Sequence, residues 1–141
     1  MSINDSKIIK LTTVEDLRGD LSFVESKKNI PFLIKRCYYI YNVPDNASRG
    51  EHAHKKLQQF LIAISGSFLV ELDDGHFKKS FKLDSPDKGL FIPNMLWRNL
   101  SNFSNNAICL ALVSDLYKEE DYIRDYETFK LIQNDNTIPK P

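Results

Sequence analysis

The segment Arg49-Gly50-Glu51-His52-Ala53-His54-Lys55-Lys56 contains two of the chain's three histidines, and the apolar run Leu57 to Ser65 follows it directly. In an extended strand, successive side chains point to opposite faces of a sheet. His52 and His54 are two positions apart, so the spacing predicts that both point to the same face. Two imidazoles on one face can bind a metal ion or transfer protons, because the unperturbed pKa of histidine is about 6.5.

Short apolar segments separated by turn residues lie on both sides of this histidine segment. The pair Asp74-Gly75 predicts a hairpin with a solvated His76 at its turn, and Phe77 to Leu83 alternates apolar and polar residues like a strand with one wet face. No amphipathic helix is evident before about residue 114. These features predict an all-β sandwich or barrel. The segment Ile34 to Tyr41 is predicted to be a strand with Arg36, Tyr38 and Ile40 on one face and Cys37, Tyr39 and Tyr41 on the other.

The C-terminal part of the chain changes character. Three acidic residues at 119–121 open a segment that carries Tyr122, Ile123, Tyr126 and Phe129 at helical spacing. The pattern predicts a short C-terminal helix over about residues 118–132, packed on the barrel or on a second subunit, and fraying at about residues 133–139. The expected organisation is a single domain over residues 1–141 with its core at about residues 8–115.

Composition and charge exclude several classes of protein. The 19 basic and 19 acidic side chains cancel, so no basic face for nucleic acid is expected. The longest strongly apolar run, Phe60 to Ile64, is too short to span a bilayer, and the first residues lack the features of a signal peptide. We therefore expect a cytoplasmic protein without a membrane partner. Cys37 and Cys109 lie in apolar runs and are predicted to be small buried side chains rather than a disulfide.

A metal site around the two histidines is incomplete in the sequence. Catalytic metal ions usually take three protein ligands and keep one position open. The residues that follow His54 include two neutral amides, Gln58 and Gln59, whereas His76 belongs to a hairpin turn. Glu51 remains available, but in an extended strand it points away from both histidines.

Two longer runs resemble the halves of the cupin signature, Gly50 to Gly66 and Gly89 through Pro93 to Arg98. The resemblance implies a double-stranded β-helix, a jelly-roll barrel that holds a site inside it. Metal-binding cupins take two histidines and a glutamate from the first run and a third histidine from the second. Here Gln58 or Gln59 stands in place of the glutamate and Arg98 in place of the last histidine, so the resemblance implies a site with no metal and no cofactor.

The chain is more specifically similar to one metal-free branch of the cupins, the dTDP-4-keto-6-deoxyglucose 3,4-ketoisomerases, from about Arg18 to Phe129. This resemblance implies conversion of dTDP-4-keto-6-deoxy-D-glucose to a dTDP-3-keto-6-deoxyhexose through an enediol, before transamination to 3-amino-3,6-dideoxyhexoses of surface polysaccharides. It also implies a homodimer. The motifs that carry it are Ile34-Lys35-Arg36-x-Tyr38-Tyr39-Ile40, Arg49-Gly50-x-His52-x-His54-Lys55-Lys56, Leu72-Asp73-Asp74-Gly75, Leu83-Asp84-Ser85-Pro86, Gly89-Leu90 and Asp121-Tyr122-Ile123-Arg124-x-Tyr126.

The histidines are the expected proton carriers of this reaction. The C3 proton is acidic because it lies next to the C4 ketone, and a base with a pKa near the working pH can take it up and release it. We expect His52 to be the principal base, with His54 as its partner in proton relay or in hydrogen bonding to the sugar. The alternative for both is a pair of core histidines satisfied by hydrogen bonds.

Fixed donors are expected around the two oxygens that gain negative charge. The candidates are Arg49, Tyr38 and Arg98, and Tyr38 is also a candidate for direct proton donation. The resemblance adds Arg18, although the chemistry of its turn favours a solvated side chain. The remaining candidates for substrate contact are Trp97, as a wall of the pocket or a stacking partner of sugar or thymine, and Arg36 and Lys56, as cations for the diphosphate.

One departure from the branch affects the product. Many members carry a histidine directly after the tryptophan, where this chain has Arg98. An arginine stays protonated and cannot exchange a proton there, so the sequence leaves the configuration at C4 open, with gluco favoured over galacto. The other functions considered are a 3,5-epimerase-like enzyme, a non-catalytic sugar-binding cupin and a metal dioxygenase.

Overall fold

Two antiparallel sheets of five strands face each other across an apolar core in the computed structural model, which describes residues 2–137. The first sheet has the order β1-β9-β6-β11-β4 and the second has the order β12-β5-β10-β7-β8. Strands β2 and β3 pair only with each other within the described residues. The strands are β1 (Lys7–Lys10), β2 (Thr13–Val14), β3 (Leu21–Ser22), β4 (Arg36–Ile40), β5 (Arg49–His54), β6 (Gln59–Ser65), β7 (Phe68–Asp73), β8 (Lys78–Leu83), β9 (Lys88–Ile92), β10 (Trp97–Ser101), β11 (Ile108–Val113) and β12 (Tyr122–Ile123).

The core between the sheets is built by the alternation of side chains along each strand. Leu61 and Ala63 of β6 meet Val70 and Leu72 of β7 in one buried cluster. Burial of such apolar surface is the main favourable contribution to folding, at about 25 cal/mol per Å² removed from water. The predicted all-β architecture is confirmed.

The hairpin between β7 and β8 forms where the Asp-Gly pair predicted it. Asp73 pairs with Lys78, and the Asp74 carboxylate accepts hydrogen bonds from the backbone N–H groups of His76 and Phe77. His76 is exposed, as predicted. Along β8 the side chains alternate between exposed and more buried positions, so the predicted wet face is also confirmed.

The outer face of the first sheet is covered by the segment between β3 and β4. Ile30 and Phe32 of this segment pack with Phe60, Ile62 and Phe91 in a second apolar cluster. Because β6 is thus covered on both faces, most of its side chains are buried, as the uninterrupted apolar run of this strand predicted.

The C-terminal helix begins later than the sequence predicted. A 3-10 turn at Glu119–Asp121 and the short strand β12 come first, and helix α1 covers Tyr126–Thr137. The Asp121 carboxylate is bound by backbone N–H groups of Lys56 and Leu57, which holds this segment against β5 and prevents it from continuing as a helix. The prediction of a helix from about residue 118 is therefore wrong, and residues 133–137, for which fraying was predicted, are helical. Residues 138 and 139, to which the fraying prediction extended, lie outside the described residues.

Helix α1 packs on the outer face of the second sheet. Phe129 is fully buried and lies in a third apolar cluster with Ala53 of β5 and Ile123 of β12. No helix among residues 2–137 combines the length and apolar character needed to cross a membrane.

The two cysteines differ in burial. Cys109 is buried and burial raises the pKa of its thiol to about 12, as expected for a small core side chain. Cys37 is exposed, so the prediction that it is buried is wrong. Its strand β4 lies at the edge of the first sheet, and Cys37 shares the exposed face of that strand with Tyr39.

Candidate active site

A cavity of about 230 Å³ lies among residues of both sheets and contains most of the side chains selected from the sequence. We call it the barrel cavity. A shallower depression of about 360 Å³, the outer depression, shares Arg49, Gly50, His52 and Tyr122 with it and extends to Arg124. The barrel cavity is lined by Arg36, Tyr38 and Ile40 of β4, Arg49, Gly50 and His52 of β5, Gln59 and Leu61 of β6, Arg98 and Leu100 of β10, and Tyr122 of β12.

A bulge in β5 sets the position of the first histidine. His52 pairs with Arg98 but Gly50 pairs with Asn99, so Glu51 is an extra residue in β5. Both Gly50 and Glu51 have positive φ, at +98° and +53°. A Cβ atom on Gly50 would lie 2.9 Å from the carbonyl oxygen of Arg98, which favours glycine here.

His52 lies in the wall of the barrel cavity as a neutral base. Its Nδ1 atom is 2.8 Å from the carbonyl oxygen of Gly50, and because a carbonyl only accepts, Nδ1 carries the hydrogen. The lone pair is then on Nε2. Burial, with a further contribution from the positive charge of Arg98, lowers the pKa of His52 to about 4. At neutral pH the ring is therefore uncharged and able to accept a proton.

His54 lies behind His52 and is 1% exposed. The two ring centroids are 4.9 Å apart and the rings are nearly perpendicular, so the prediction that both histidines point to one face is confirmed. The Nδ1 atom of His54 donates to the Asp121 carboxylate over 3.1 Å, and its Nε2 atom has no hydrogen-bond partner among the described residues. Burial, and then the charge of Arg98, lowers the pKa of His54 well below its usual range.

Arg98 brings an almost completely buried positive charge to the barrel cavity. It is 2% exposed, and its guanidinium donates to the side-chain oxygen of Gln59 and, over 3.2 Å, to the carbonyl oxygen of Leu96. Burial lowers its pKa to about 10, so it remains protonated at neutral pH. Within residues 2–137 no carboxylate lies at ion-pair distance from this guanidinium. A buried cation of this kind favours a bound anion or a developing oxyanion.

Tyr38 reaches the same cavity from the opposite sheet. Its hydroxyl oxygen accepts a hydrogen bond of 2.8 Å from the side-chain nitrogen of Gln59. Burial raises the pKa of Tyr38, although the charge of Arg98 acts in the other direction. The hydroxyl therefore stays protonated at neutral pH and is available as a donor.

Arg36 and Arg49 add two further cations to the wall. Arg36 donates to the carbonyl oxygen of Asp115 over 3.3 Å, and its guanidinium carbon is 5.6 Å from the centroid of the Tyr38 ring. Arg49 is exposed and lies where the barrel cavity meets the outer depression. This is the position expected for a contact with an anionic part of a ligand.

Comparison with models of known protein families gives a match over most of the chain. The family model described as FdtA, WxcM-like, C-terminal, matches residues 4–134. The chain belongs to this family. Within residues 2–137, no group of three or more His, Cys, Asp or Glu side chains is placed to hold a metal ion in this WxcM-like chain.

Three relatives of this WxcM-like chain are informative. It is 44% identical over 126 residues to the TDP-4-oxo-6-deoxy-alpha-D-glucose-3,4-oxoisomerase of Aneurinibacillus thermoaerophilus. The aligned residues cover 89% of this chain and 91% of the relative. It is 47% identical to a 3,4-ketoisomerase from Helicobacter canadensis, with a TM-score of 0.90 over 92% of this chain and 98% of that one. The sugar 3,4-ketoisomerase QdtA from Thermoanaerobacterium thermosaccharolyticum, solved in complex with TDP, is 36% identical, with a TM-score of 0.93 over 97% of this chain and all of that one.

A further structure of QdtA shows a variant in which a histidine is replaced by asparagine, in complex with TDP-4-keto-6-deoxyglucose. The resemblance to the ketoisomerase branch and the cupin fold with a C-terminal helix, both predicted from the sequence, are confirmed.

Four residues selected from the sequence are not among those that line the barrel cavity: His54, which lies behind His52, and Lys56, Trp97 and Arg18. Trp97 contacts Tyr126 and Phe129 of helix α1, with ring centroids 5.2 and 5.8 Å away, so it does not form a wall of the barrel cavity. Its stacking on sugar or thymine stays a prediction. Side chains alternate along β10, and since Arg98 faces the cavity its neighbour Trp97 faces the helix. Arg18 is at the turn between β2 and β3, where it is largely exposed and pairs with Asp16 at 2.9 Å. The role of Arg18 in substrate binding stays a prediction.

Three residues of the site were not assigned a role from the sequence of this WxcM-like chain. Gln59 was noted only as a neutral amide in the cupin signature, and Asp121 and Tyr122 only as part of a predicted helix and of a family motif. In the structure the ring of Tyr122 lies 5.0 Å from that of His52 and 4.3 Å from that of His54. Strand spacing alone gives no signal for these contacts, because they join residues more than sixty positions apart in the chain.

Proposed function

We propose that this protein is a sugar nucleotide 3,4-ketoisomerase that converts dTDP-4-keto-6-deoxy-D-glucose to dTDP-3-keto-6-deoxyhexose. The observation that carries the proposal is the pairing of an uncharged His52 with a buried Arg98 that has no carboxylate partner among the described residues. A base beside a fixed cation is what removal of a proton next to a ketone requires. The chain is an isomerase, as its relatives from A. thermoaerophilus and H. canadensis are named. The QdtA complexes support a TDP-linked sugar as the ligand.

The first half of the reaction uses His52 and the donors of the cavity. The C3–H bond breaks, the proton passes to Nε2 of His52, and the bonding pair forms a C3–C4 double bond while the C4 carbonyl oxygen becomes an oxyanion. Arg98 and the Tyr38 hydroxyl stabilise this charge. They are held by Gln59 before the substrate binds, so little reorganisation is needed.

The second half moves the carbonyl to C3. The oxygen on C3 loses its proton, the oxygen on C4 gains one, and C4 takes up a proton as the carbonyl forms at C3. One proton leaves carbon and one returns, so the reaction needs neither an oxidant nor a cofactor. His52 takes up the proton that leaves C3, with His54, held by Asp121, as its neighbour in the relay.

The face on which C4 is protonated decides the product. A proton delivered to the face from which the C3 hydrogen left gives the galacto configuration, and delivery to the opposite face gives gluco. Arg98 stays protonated and cannot deliver the proton, and His52 lies on the face from which the C3 hydrogen left. We retain gluco as the expected product, with the Tyr38 hydroxyl as the candidate donor to C4 on the opposite face. The size of the coupling between H4 and H5 in the product distinguishes the two, because it is large in gluco and small in galacto.

The diphosphate of the substrate is expected to lie toward the exposed cations of the cavity mouth. Arg49 lies at the junction of the barrel cavity and the outer depression, and Arg36 lines the barrel cavity from β4. A guanidinium group can donate two parallel hydrogen bonds to phosphate oxygens. Lys56 is exposed and outside the lining residues, so we assign it no contact.

The test is incubation of the purified protein with dTDP-4-keto-6-deoxyglucose and a 3-aminotransferase, followed by identification of the amino sugar by NMR. A 3-amino-3,6-dideoxyhexose is the expected product. In D₂O an isomerase leaves the hydrogen at C5 in place, whereas a 3,5-epimerase exchanges it, so retention at C5 separates these two functions. Binding of the nucleotide sugar without any product would indicate a non-catalytic sugar-binding cupin and contradict the proposal.

We also propose that the protein is a homodimer and acts in the cytoplasm. The β2–β3 hairpin exposes Val14, Leu17 and Leu21, and exposed apolar side chains grouped on one hairpin favour contact with a second subunit. The exposed thiol of Cys37 supports a reducing compartment. Light scattering is expected to give a mass twice that of the 16.3 kDa chain, and a monomer mass would contradict the dimer.

Arg18 lies at the turn of the same hairpin. In a homodimer we therefore expect its side chain to reach the active site of the second subunit. Arg18→Ala is expected to reduce turnover, and His52→Asn to abolish most of it. If Arg18 acts on the second subunit, a mixture of the two variants after subunit exchange regains activity beyond the sum of the separate samples. Activity that stays at that sum would show that Arg18 does not act across the interface.

A further inference from the structure

Gln59 lines the barrel cavity between Tyr38 and Arg98. In the proposed reaction it serves only to hold these two side chains. It lies at the start of β6 in the first sheet and is 1% exposed. Its side chain joins two residues of the site, Tyr38 from β4 of the same sheet and Arg98 from β10 of the other sheet. Both ends of the amide are therefore hydrogen bonded to protein groups.

The chemistry of the partners fixes the direction of this amide. A guanidinium group has donors and no acceptor, so the atom of Gln59 that faces Arg98 is the oxygen. The nitrogen of the amide then faces Tyr38, 2.8 Å from its hydroxyl oxygen. The Tyr38 hydroxyl must accept this hydrogen bond, and its own hydrogen cannot point at Gln59.

We infer that Gln59 is a positioning residue of the reaction, which turns the hydrogen of the Tyr38 hydroxyl toward the substrate oxygens in the barrel cavity. The inference rests on the proposed function. Tyr38 lines the cavity, so the direction left open to its hydrogen leads to the ligand. Arg98 thus acts twice, once as a cation beside the oxyanion and once as the group that orients Gln59.

A carboxylate at this position would reverse the hydrogen bond. Glutamate has almost the shape of glutamine but only acceptor oxygens when ionised. In the Gln59→Glu variant, one oxygen would accept from Arg98 and the other would accept the hydrogen of the Tyr38 hydroxyl, which would then be turned away from the substrate. The same carboxylate would also neutralise the charge of Arg98.

The experiment compares Gln59→Glu with Gln58→Glu, its matched control. The two positions are adjacent, but Gln58 is not among the residues that line the cavity. Gln59→Glu is expected to lower kcat on the order of 100-fold, the loss that follows removal of one donor to an oxyanion, with little change in KM. Gln58→Glu is expected to keep both. All assays contain EDTA, because a carboxylate near two histidines is a potential metal site.

A double-mutant cycle with Tyr38→Phe tests whether Gln59 acts through Tyr38. If it does, the loss that Gln59→Glu adds to Tyr38→Phe is smaller than the loss it causes alone, and the part that remains reflects the neutralised charge of Arg98. Full kcat in Gln59→Glu, or losses that simply multiply in the double variant, would overturn the inference. Should Gln59→Glu fail to fold, Gln59→Met replaces it, with a smaller expected loss in kcat because the hydroxyl is then free to turn either way. A wild-type protein without turnover would contradict the proposed function instead.

Discussion

At the scale of single residues, the reaction depends on His52 being uncharged at the pH of the cell. Burial and the nearby charge of Arg98 lower its pKa to about 4, so the basic form is the main form from about pH 5 upward. The acid limb of kcat/KM is therefore expected to have its midpoint near pH 4 rather than near 6.5, the ordinary histidine value. Arg98→Met, which removes the charge, should move this midpoint to higher pH. A wild-type midpoint between about 6 and 7, by kinetics or by NMR titration of the ring, would contradict the assignment of His52 as a buried base.

The base itself is tested by His52→Asn. The amide nitrogen of asparagine lies close to the place of Nδ1, so it can still donate to the carbonyl oxygen of Gly50, and only the proton acceptor Nε2 is lost. We expect turnover to fall by about 100-fold or more, the usual contribution of a general base, with KM little changed. His76→Asn is the matched control, since His76 is exposed at the β7–β8 turn and outside the cavity. Equal effects of the two substitutions would exclude His52 as the base.

At the scale of elements, the sequence predicts those features that depend on local periodicity. Alternation along β4 correctly separated Arg36, Tyr38 and Ile40, which line the cavity, from the exposed face. It did not locate the start of α1, because the contacts that hold Asp121 against β5 come from residues more than sixty positions earlier. The Asp125 carboxylate accepts from the backbone N–H group of Thr128, three residues on.

The bulge in β5 is the element that ties the fold to the site. Gly50→Ala is expected to be destabilising by about 1–3 kcal/mol, the usual cost of a strained backbone, and to lower kcat, since the new Cβ would lie 2.9 Å from the carbonyl oxygen of Arg98. Gly75→Ala is the matched control, because Gly75 also has a positive φ, +94°, but its new Cβ would meet only ordinary contacts with residues outside the cavity lining. Thermal unfolding and kcat are measured for both. Loss of stability with unchanged kcat in Gly50→Ala would show that the bulge does not position the site.

At the scale of the whole molecule, the two histidines of the site link stability to pH. Both have a lowered pKa in the folded protein, so in mildly acidic solution the unfolded chain binds protons that the folded chain does not. Stability therefore rises with pH over the range between the folded and the unfolded pKa, and its dependence on these groups ends above about pH 6.5, the ordinary histidine value. Lowering the pH from about 6.5 toward 4 is expected to reduce the free energy of unfolding.

His54→Asn separates the contribution of one buried histidine from that of the surface carboxylates. The amide can still donate to Asp121, as Nδ1 of His54 does, but it does not titrate. Urea unfolding at a single protein concentration should therefore show a shallower fall in stability between about pH 6.5 and 4 for the variant than for the wild type. The carboxylates remain in both proteins, so they affect the two curves alike. Parallel curves would mean that His54 takes up protons equally well in the folded and unfolded states, which its burial behind His52 and its proximity to Arg98 both oppose.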